Sequence, residues 1–185
     1  MGKKEIIRDY NATAEIYDSR YEEEQSLKIS FAMKHVNARE GDTVIDVGCG
    51  TGQLLGLLEA RILVGIDASL EMLKKAKARC GSIQVVLADA ESLPFRDECC
   101  DVIYSVSVIQ LVEDPRRSVN EMLRVLKNGG AFAVTVLLRA SFAKEMPKYF
   151  GEGLEFYESE NMKDIFLFGI KRPLTMAKKP SDNLL

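Results

Sequence analysis

Three glycines at alternate positions, Gly48, Gly50 and Gly52, follow the short apolar run Thr43-Val-Ile-Asp-Val and precede Gln53 to Ala60, which reads as helical. Glycines between a strand and a helix let a ligand approach the backbone without Cβ clashes. Such a turn can hold a dinucleotide, but the dinucleotide fingerprint G-x-G-x-x-G is not met, because the third glycine falls at Gly52 and Gln53 follows. That spacing disfavours a nicotinamide cofactor. A second signal is Asp67, which closes the apolar run Ile62-Leu-Val-Gly-Ile-Asp. A carboxylate about 20 residues after such glycines can accept hydrogen bonds from both hydroxyls of a ribose. Its alternative role is to cap the helix that follows Ala68-Ser69. The third signal is Asp89, at the end of Ile83-Gln-Val-Val-Leu-Ala-Asp. A carboxylate there can take the exocyclic amine of adenine, with Glu91 competing for the local capping role.

The elements that must position these groups alternate. The short apolar runs beginning at Thr43, Ile62, Ile83, Asp101 and Ala131 read as strands. Ser69 to Arg79 and Pro115 to Leu126 read as helices, the second with proline in its first turn. Apolar strands alternating with helices signal βαβ units and a parallel sheet buried on both faces. Asn128-Gly-Gly is a turn that launches the fifth strand, Ala131 to Leu138. Phe142 to Phe150 reads as a helix broken near Pro147. Leu154-Glu-Phe-Tyr-Glu and Asp164-Ile-Phe-Leu-Phe-Gly-Ile read as antiparallel neighbours. Before Gly41 the chain reads as two helices. One starts at a cap on Asn11 or Thr13. The other runs from Ser26 to Val36, with Leu27, Phe31 and His35 on one face and Glu22-Glu-Glu at its front.

Composition narrows the function classes. With 185 residues, 46% hydrophobic and 29% charged, the chain suits one globular domain. No apolar run reaches the roughly 20 residues of a membrane helix, and the start lacks the apolar stretch of a secretory signal, so a cytoplasmic address and no membrane partner are expected. Cys49, Cys80, Cys99 and Cys100 form no CxxC pair and lack histidine partners, which argues for reduced thiols and against a metal site. A net charge of −3 argues against strong unaided binding to nucleic acid. The sole histidine, His35, is assigned to packing.

The run Val44-Ile-Asp-Val-Gly-Cys-Gly-Thr-Gly, followed by Val64-Gly-Ile-Asp-Ala-Ser-Leu-Glu-Met-Leu, resembles the class I S-adenosylmethionine-dependent methyltransferases of the type 11 group. Ala88-Asp-Ala-Glu-Ser-Leu-Pro-Phe-Arg-Asp, Asp101-Val-Ile-Tyr-Ser-Val and Glu121-Met-Leu-Arg-Val-Leu-Lys-Asn-Gly-Gly continue the likeness, which covers roughly Asn11 to Leu138. It implies a Rossmann-like, seven-stranded, mostly parallel sheet with helices on both faces and an antiparallel last strand. Residues 1–40 would be a helical cap over the cofactor site, 41–173 the methyltransferase domain, and 174–185 a disordered tail. The implied cofactor is S-adenosylmethionine. Gly48, Gly50 and Gly52 would pass beneath its methionine part, with Asp46 supporting the turn. Asp67 would hold the ribose, Ala68 and Met72 would flank the adenine, and Asp89 and Ala90 would contact its edge. Ser105 would lie beside the sulfonium. Tyr10 and Tyr17 match an N-terminal tyrosine pattern that closes over the cofactor, with Tyr10 toward the substrate.

The family's fourth-strand motif commonly ends in His-His, where this chain has Val108-Ile-Gln-Leu. Gln110 can hydrogen-bond at the substrate mouth but cannot act as a general base, and no catalytic residue is named. An activated methyl mainly needs in-line positioning and a water-poor site, so an amine, ring nitrogen or carboxylate can attack without a base. The third strand should be an edge, and Ile83 to Leu87 carries no charge, proline or glycine against unwanted pairing. Some relatives that methylate RNA or translation factors are activated by a small zinc-binding protein docked on that side. The resemblance implies methyl transfer but does not identify the acceptor; RNA or protein, with such a partner on the Ile83 to Leu87 edge, is the acceptor class considered first. A small-metabolite methyltransferase and a non-catalytic binding module are the alternatives.

Overall fold

The computed structural model describes residues 2–151 and 154–172. A long helix, α1 (Lys3–His35), precedes β1 (Thr43–Val47), β2 (Ile62–Asp67), α2 (Leu70–Cys80), β3 (Gln84–Leu87) and β4 (Cys100–Ser105). There follow α3 (Pro115–Val125), β5 (Leu126–Leu137), α4 (Pro147–Phe150), β6 (Glu155–Ser159) and β7 (Asp164–Ile170). The seven strands form one sheet in the order β3-β2-β1-β4-β5-β7-β6. The first five named in that order are parallel, whereas β7 is antiparallel to both of its neighbours. This is the Rossmann-like, seven-stranded arrangement that the resemblance implies, with the buried parallel strands that the alternating pattern predicts.

Strand side chains point alternately to opposite faces, and here both faces are covered. Ile45, Ile103 and Leu167 pack on one face with Val119 and Met122 of α3. Their chain neighbours Val44, Tyr104 and Phe166 pack on the other with Ile29 and Ala32 of α1. Each such fully buried side chain contributes about 1.5–3 kcal/mol from burial. β2 and β3 are laid down on one side of β1, β4 and β5 on the other. The loops leaving β1 and β4 therefore diverge and open a crevice at the carboxyl ends of the strands.

Local differences from the sequence reading have physical causes. Residues 3–35 form one helix of 33 residues rather than two. No glycine or proline interrupts them. The residues read as caps are satisfied within the helix or across it: Thr13 Oγ1 donates to the Asp9 carbonyl, and Asn11 turns to α2. Leu27 is exposed, and Lys28, Ile29 and Ala32 form the buried face instead. Only a 3-10 turn, Leu55–Leu57, forms where Gln53 to Ala60 read as a helix. Gly56 sits in its middle, and glycine costs about 1 kcal/mol in a helix interior. β5 starts at Leu126, and the Asn128-Gly-Gly segment lies inside it, beside a register shift between Cys100 and Val102. The stretch read as a tail, 174–185, lies outside the described residues.

Candidate functional site

The crevice is built first by the loop after β1. The amides of Gly48 and Cys49 both donate to the Ile66 carbonyl at the end of β2, which folds the loop down over the sheet. Gly48 and Gly50 both have positive φ, 76° and 52°, but space demands glycine at only one of them. A Cβ on Gly48 would lie 2.1 Å from a Val108 methyl carbon, whereas one on Gly50 meets nothing within 4 Å. Gly50 thus opens onto space a ligand can fill. Gly52 packs on Ala76 of α2 and lines neither cavity described below.

Asp67 holds the loop from below. Its Oδ2 accepts from the Gly50 amide at 2.9 Å and its Oδ1 from the Ser69 amide at 2.8 Å. Burial raises its carboxyl above the usual carboxylate range, against the lowering effect of those amides. Ser69 caps α2 by accepting from the Met72 amide, and Asn11 of α1 adds a second cap: its Oδ1 accepts from Ser69 Oγ and from the Glu71 amide. Ser69 rather than Asp67 therefore caps α2, and each Asp67 oxygen, having accepted one backbone amide, keeps a second lone pair.

The larger cavity runs from Gly48, Gly50 and Asp67 past Ala68 to Asp89 and Ala90. α1 roofs it with Ile6, Ile7, Tyr10 and Tyr17, and the segment after β4 walls it with Val106, Ser107 and Val108. A second cavity abuts it across the glycine loop, sharing Tyr17, Gly48, Gly50 and Val106 and adding Asp46, Gln25 and Thr51. Asp46 has no basic partner within ion-pair distance among the described residues. Burial, reinforced by the charge of Asp67, pushes its carboxyl up to about 8. Burial also holds the Tyr17 hydroxyl well above its ordinary value, so it stays neutral.

Besides Gly52, three predicted residues sit elsewhere. Met72 is buried in α2, and its amide serves the Ser69 cap rather than the cavity. Ser105 is fully buried in β4, with no hydrogen-bond partner for its Oγ. Chain direction there puts Val106, Ser107 and Val108 on the wall instead. Gln110 Nε2 donates to the Ser107 carbonyl, and Gln110 lines neither cavity.

Two groups escaped sequence reasoning. Lys3 reaches the cavity mouth, where its Nζ lies 2.6 Å from Asp89 Oδ2 and also pairs with Glu91. Their charges raise the lysine above its usual range against the lowering effect of burial. Lys3 in turn holds Asp89 below the usual carboxylate range despite partial burial. The other group surrounds Ser107, whose φ of 60° is rare for a residue with a Cβ. Its amide donates to Thr135 Oγ1 at 2.9 Å, and Lys28 Nζ donates to its Oγ at 3.3 Å. Behind it, Lys28 and Asp164 form a fully buried ion pair at 3.0 Å. Lys28 lies next to Ile29 on the buried side of α1, but its partner lies 136 residues away and no local pattern marks it.

The two cavities meet on the glycine loop and together suit an elongated ligand, with Asp67 and Asp89 along the larger and Asp46 in the smaller. Both the sequence and the fold have known relatives. Residues 45–134 match the family described as a methyltransferase domain. A malonyl-[acyl-carrier protein] O-methyltransferase of Marinomonas sp. is 32% identical over 156 residues, covering 80% of this chain and 57% of that protein. A phosphatidylethanolamine N-methyltransferase of Cereibacter sphaeroides is 35% identical over 136 residues, covering 70% of this chain and 66% of that protein. The chain thus spans between 57% and 66% of the length of these two relatives. Among solved structures, a chain of the complex between the Haloferax volcanii Trm112 methyltransferase activator and a methyltransferase superposes with a TM-score of 0.77. It has 20% identity and covers 89% of this chain and 98% of that one, a likeness of fold. The chain belongs to the class I S-adenosylmethionine-dependent methyltransferases, in the type 11 group.

Proposed function

We propose that this chain transfers the methyl group of S-adenosylmethionine to an acceptor that enters beside Ser107. The observation that carries the reading is the pair of cavities meeting on the Gly48–Gly50 loop, with Asp67 lining the larger and Asp46 the smaller. The residues fit the cofactor. Gly50 leaves room for it, Asp67 and Asp89 present acceptors for ribose and adenine, and the Asp46 carboxylate suits the α-ammonium. Ala68 and Ala90 give the adenine flat apolar walls.

When bound, the sulfonium supplies an already activated methyl. The chain's own part is then to orient the cofactor, exclude water beneath Tyr10 and Tyr17, and align the acceptor. On the acceptor side Ser107 Oγ lies 3.5 Å from Asp164 Oδ2. Burial raises the Asp164 carboxyl, against the opposing effect of Lys28. An acceptor N–H or O–H that bonds Ser107 would thus have a carboxylate behind it.

A partner on the β3 edge remains part of the reading. β3 is an outer strand, and beside it Leu70, Leu73, Val85 and Leu87 form an apolar groove with the stems of Lys74 and Lys77. Leu70 and Leu87 are 47% and 56% exposed. An activator of the Trm112 type would pair with this edge and cover the groove, which favours RNA or protein as acceptor. Loss of that pairing in Val85→Pro, with cofactor binding retained, is the expected result. No helix among the described residues is long and apolar enough to cross a membrane, and the four thiols are unpaired, which supports a cytoplasmic site of action.

The decisive experiment is calorimetry with S-adenosylmethionine, S-adenosylhomocysteine and NADH on the purified chain and on Asp67→Ala. Binding of the first two, lost in the variant, is expected. NADH binding would overturn the reading.

A further inference from the structure

The ion pairs at the cavity mouth do something that the cofactor reading does not require. Lys3 belongs to the first turn of α1, and the same stretch carries Ile6, Ile7 and Tyr10, which roof the larger cavity. Its ammonium reaches across that cavity to two carboxylates of the loop after β3. The two are not equivalent. The Asp89 side chain is 39% exposed and borders the cavity, whereas that of Glu91 is 7% exposed and fixed from behind. Glu91 Oε1 accepts from the Asp114 amide at 2.8 Å, Oε2 from the Glu113 amide at 3.3 Å, and the Glu91 carbonyl from Arg117 Nε at 2.8 Å. The Lys3 amide itself approaches Glu113 Oε1 at 3.5 Å. The start of α1, the loop after β3 and the start of α3 are therefore knotted together at one point, and Lys3 is the side chain that joins α1 to the other two.

We propose that Lys3 is the latch of the cofactor cavity. Its contact with Asp89 and Glu91 holds the first turns of α1 shut over the cavity. A nucleoside ligand is admitted only when that contact opens. The latch presupposes that the cavity is the adenosine site of the proposed function. Asp89 borders the cavity with both oxygens engaged, Oδ2 by Lys3 and Oδ1 by the Glu91 amide, so a ligand amine that bonds this carboxylate competes with the latch. Glu91, buried and oriented by α3, remains to receive the ammonium and close α1 again over the bound ligand. The latch consequently acts on both rates: it slows arrival and it slows departure. Charge-assisted contacts of this kind are short and strong, and local opening of a helix end is governed by contacts of this sort.

The test uses the whole chain with Lys3→Gln, with Lys3→Arg as the charge-retaining variant and Lys4→Gln as the charge control on an exposed neighbour. Hydrogen exchange without ligand reads the latch itself. The amides of residues 6–10 should exchange roughly tenfold faster in Lys3→Gln, but at the parent rate in Lys3→Arg and Lys4→Gln. Stopped-flow mixing with S-adenosylhomocysteine, followed by tyrosine fluorescence, should show both association and dissociation faster by roughly tenfold in Lys3→Gln alone. Raising the salt should speed association in the parent and leave Lys3→Gln unchanged. Unchanged exchange in Lys3→Gln overturns the latch, whatever the ligand data show. Faster exchange with unchanged ligand rates also overturns it. Should no variant bind S-adenosylhomocysteine while exchange still quickens, the cofactor reading fails and the closure of α1 by Lys3 stands.

Discussion

Asn11 Oδ1 lies 2.8 Å from Ser69 Oγ and 3.1 Å from the Glu71 amide, so the helix that roofs the cavity also caps the helix that borders it. Ser69 is the residue whose amide binds Asp67. Removing the side chain in Asn11→Ala should cost about 1 kcal/mol of stability, as loss of an N-cap does, and should loosen Asp67. Chemical denaturation reads the first effect, and calorimetry with S-adenosylhomocysteine should show weaker binding as the second. A stability loss with unchanged affinity would show that the cap does not reach the carboxylate.

The glycines of the loop predict different outcomes. Gly48→Ala forces a Cβ onto Val108 at a positive φ, so it should destabilise the fold by about 1–3 kcal/mol. Gly50→Ala faces open space and carries only backbone strain, about 1–2 kcal/mol. It should fold and still lose cofactor affinity, because the new methyl occupies ligand space. Melting curves and calorimetry on the two variants separate these effects.

Asp46 predicts proton release. With its carboxyl near 8 in the ligand-free protein, it is protonated at neutral pH. An ammonium bound beside it stabilises the ionised form, so binding expels a proton and affinity rises with pH by up to about tenfold per unit, levelling off near pH 8. Calorimetry at pH 7 in buffers of different ionisation enthalpy should give close to one proton released with S-adenosylhomocysteine. Methylthioadenosine, which lacks the ammonium, should release none. Stability runs the other way. The folded value lies above the unfolded one, so this group's contribution is full below the ordinary carboxylate range and is lost as pH rises toward 8. Asp46→Asn should flatten that decline in a pH series of melting curves.

The buried pair of Lys28 and Asp164 predicts strong coupling. Lys28→Met leaves a carboxylate alone in the interior and should cost about 3–5 kcal/mol, whereas Lys28→Met with Asp164→Leu should recover most of that. A double-mutant cycle by denaturation measures the coupling. Additive losses would show that the two side chains are solvated in the folded state.

How much of this was legible in the sequence depended on the range of the interaction. Val44-Ile-Asp-Val, Ile62 to Asp67 and Asp101 to Val106 announce buried parallel strands because each needs only its own apolar run. Asp67 was readable because strand, glycines and carboxylate are covalently close. The first 40 residues misled because α1 serves several surfaces at once: Ile6 and Tyr10 the cavity, Asn11 the cap of α2, Ile29 and Ala32 the sheet. No single apolar stripe survives that division of labour, and polar residues inside the helix resemble caps. Ser105 and Ser107 exchanged roles because a sequence does not show where β4 ends. Lys3 meets Asp89, and Lys28 meets Asp164, only after the chain has folded.

α1 is about 50 Å long at 1.5 Å per residue, and it touches the Asp89 end of the crevice, the Asp46 cavity and the Lys28–Asp164 pair in turn. Lys3 at the cavity mouth and Lys28 behind Ser107 therefore belong to one uninterrupted element, with no loop between them to absorb a displacement. A crevice framed in this way has a single beam along its length, so damage to either end of that beam is damage to a part both cavities share.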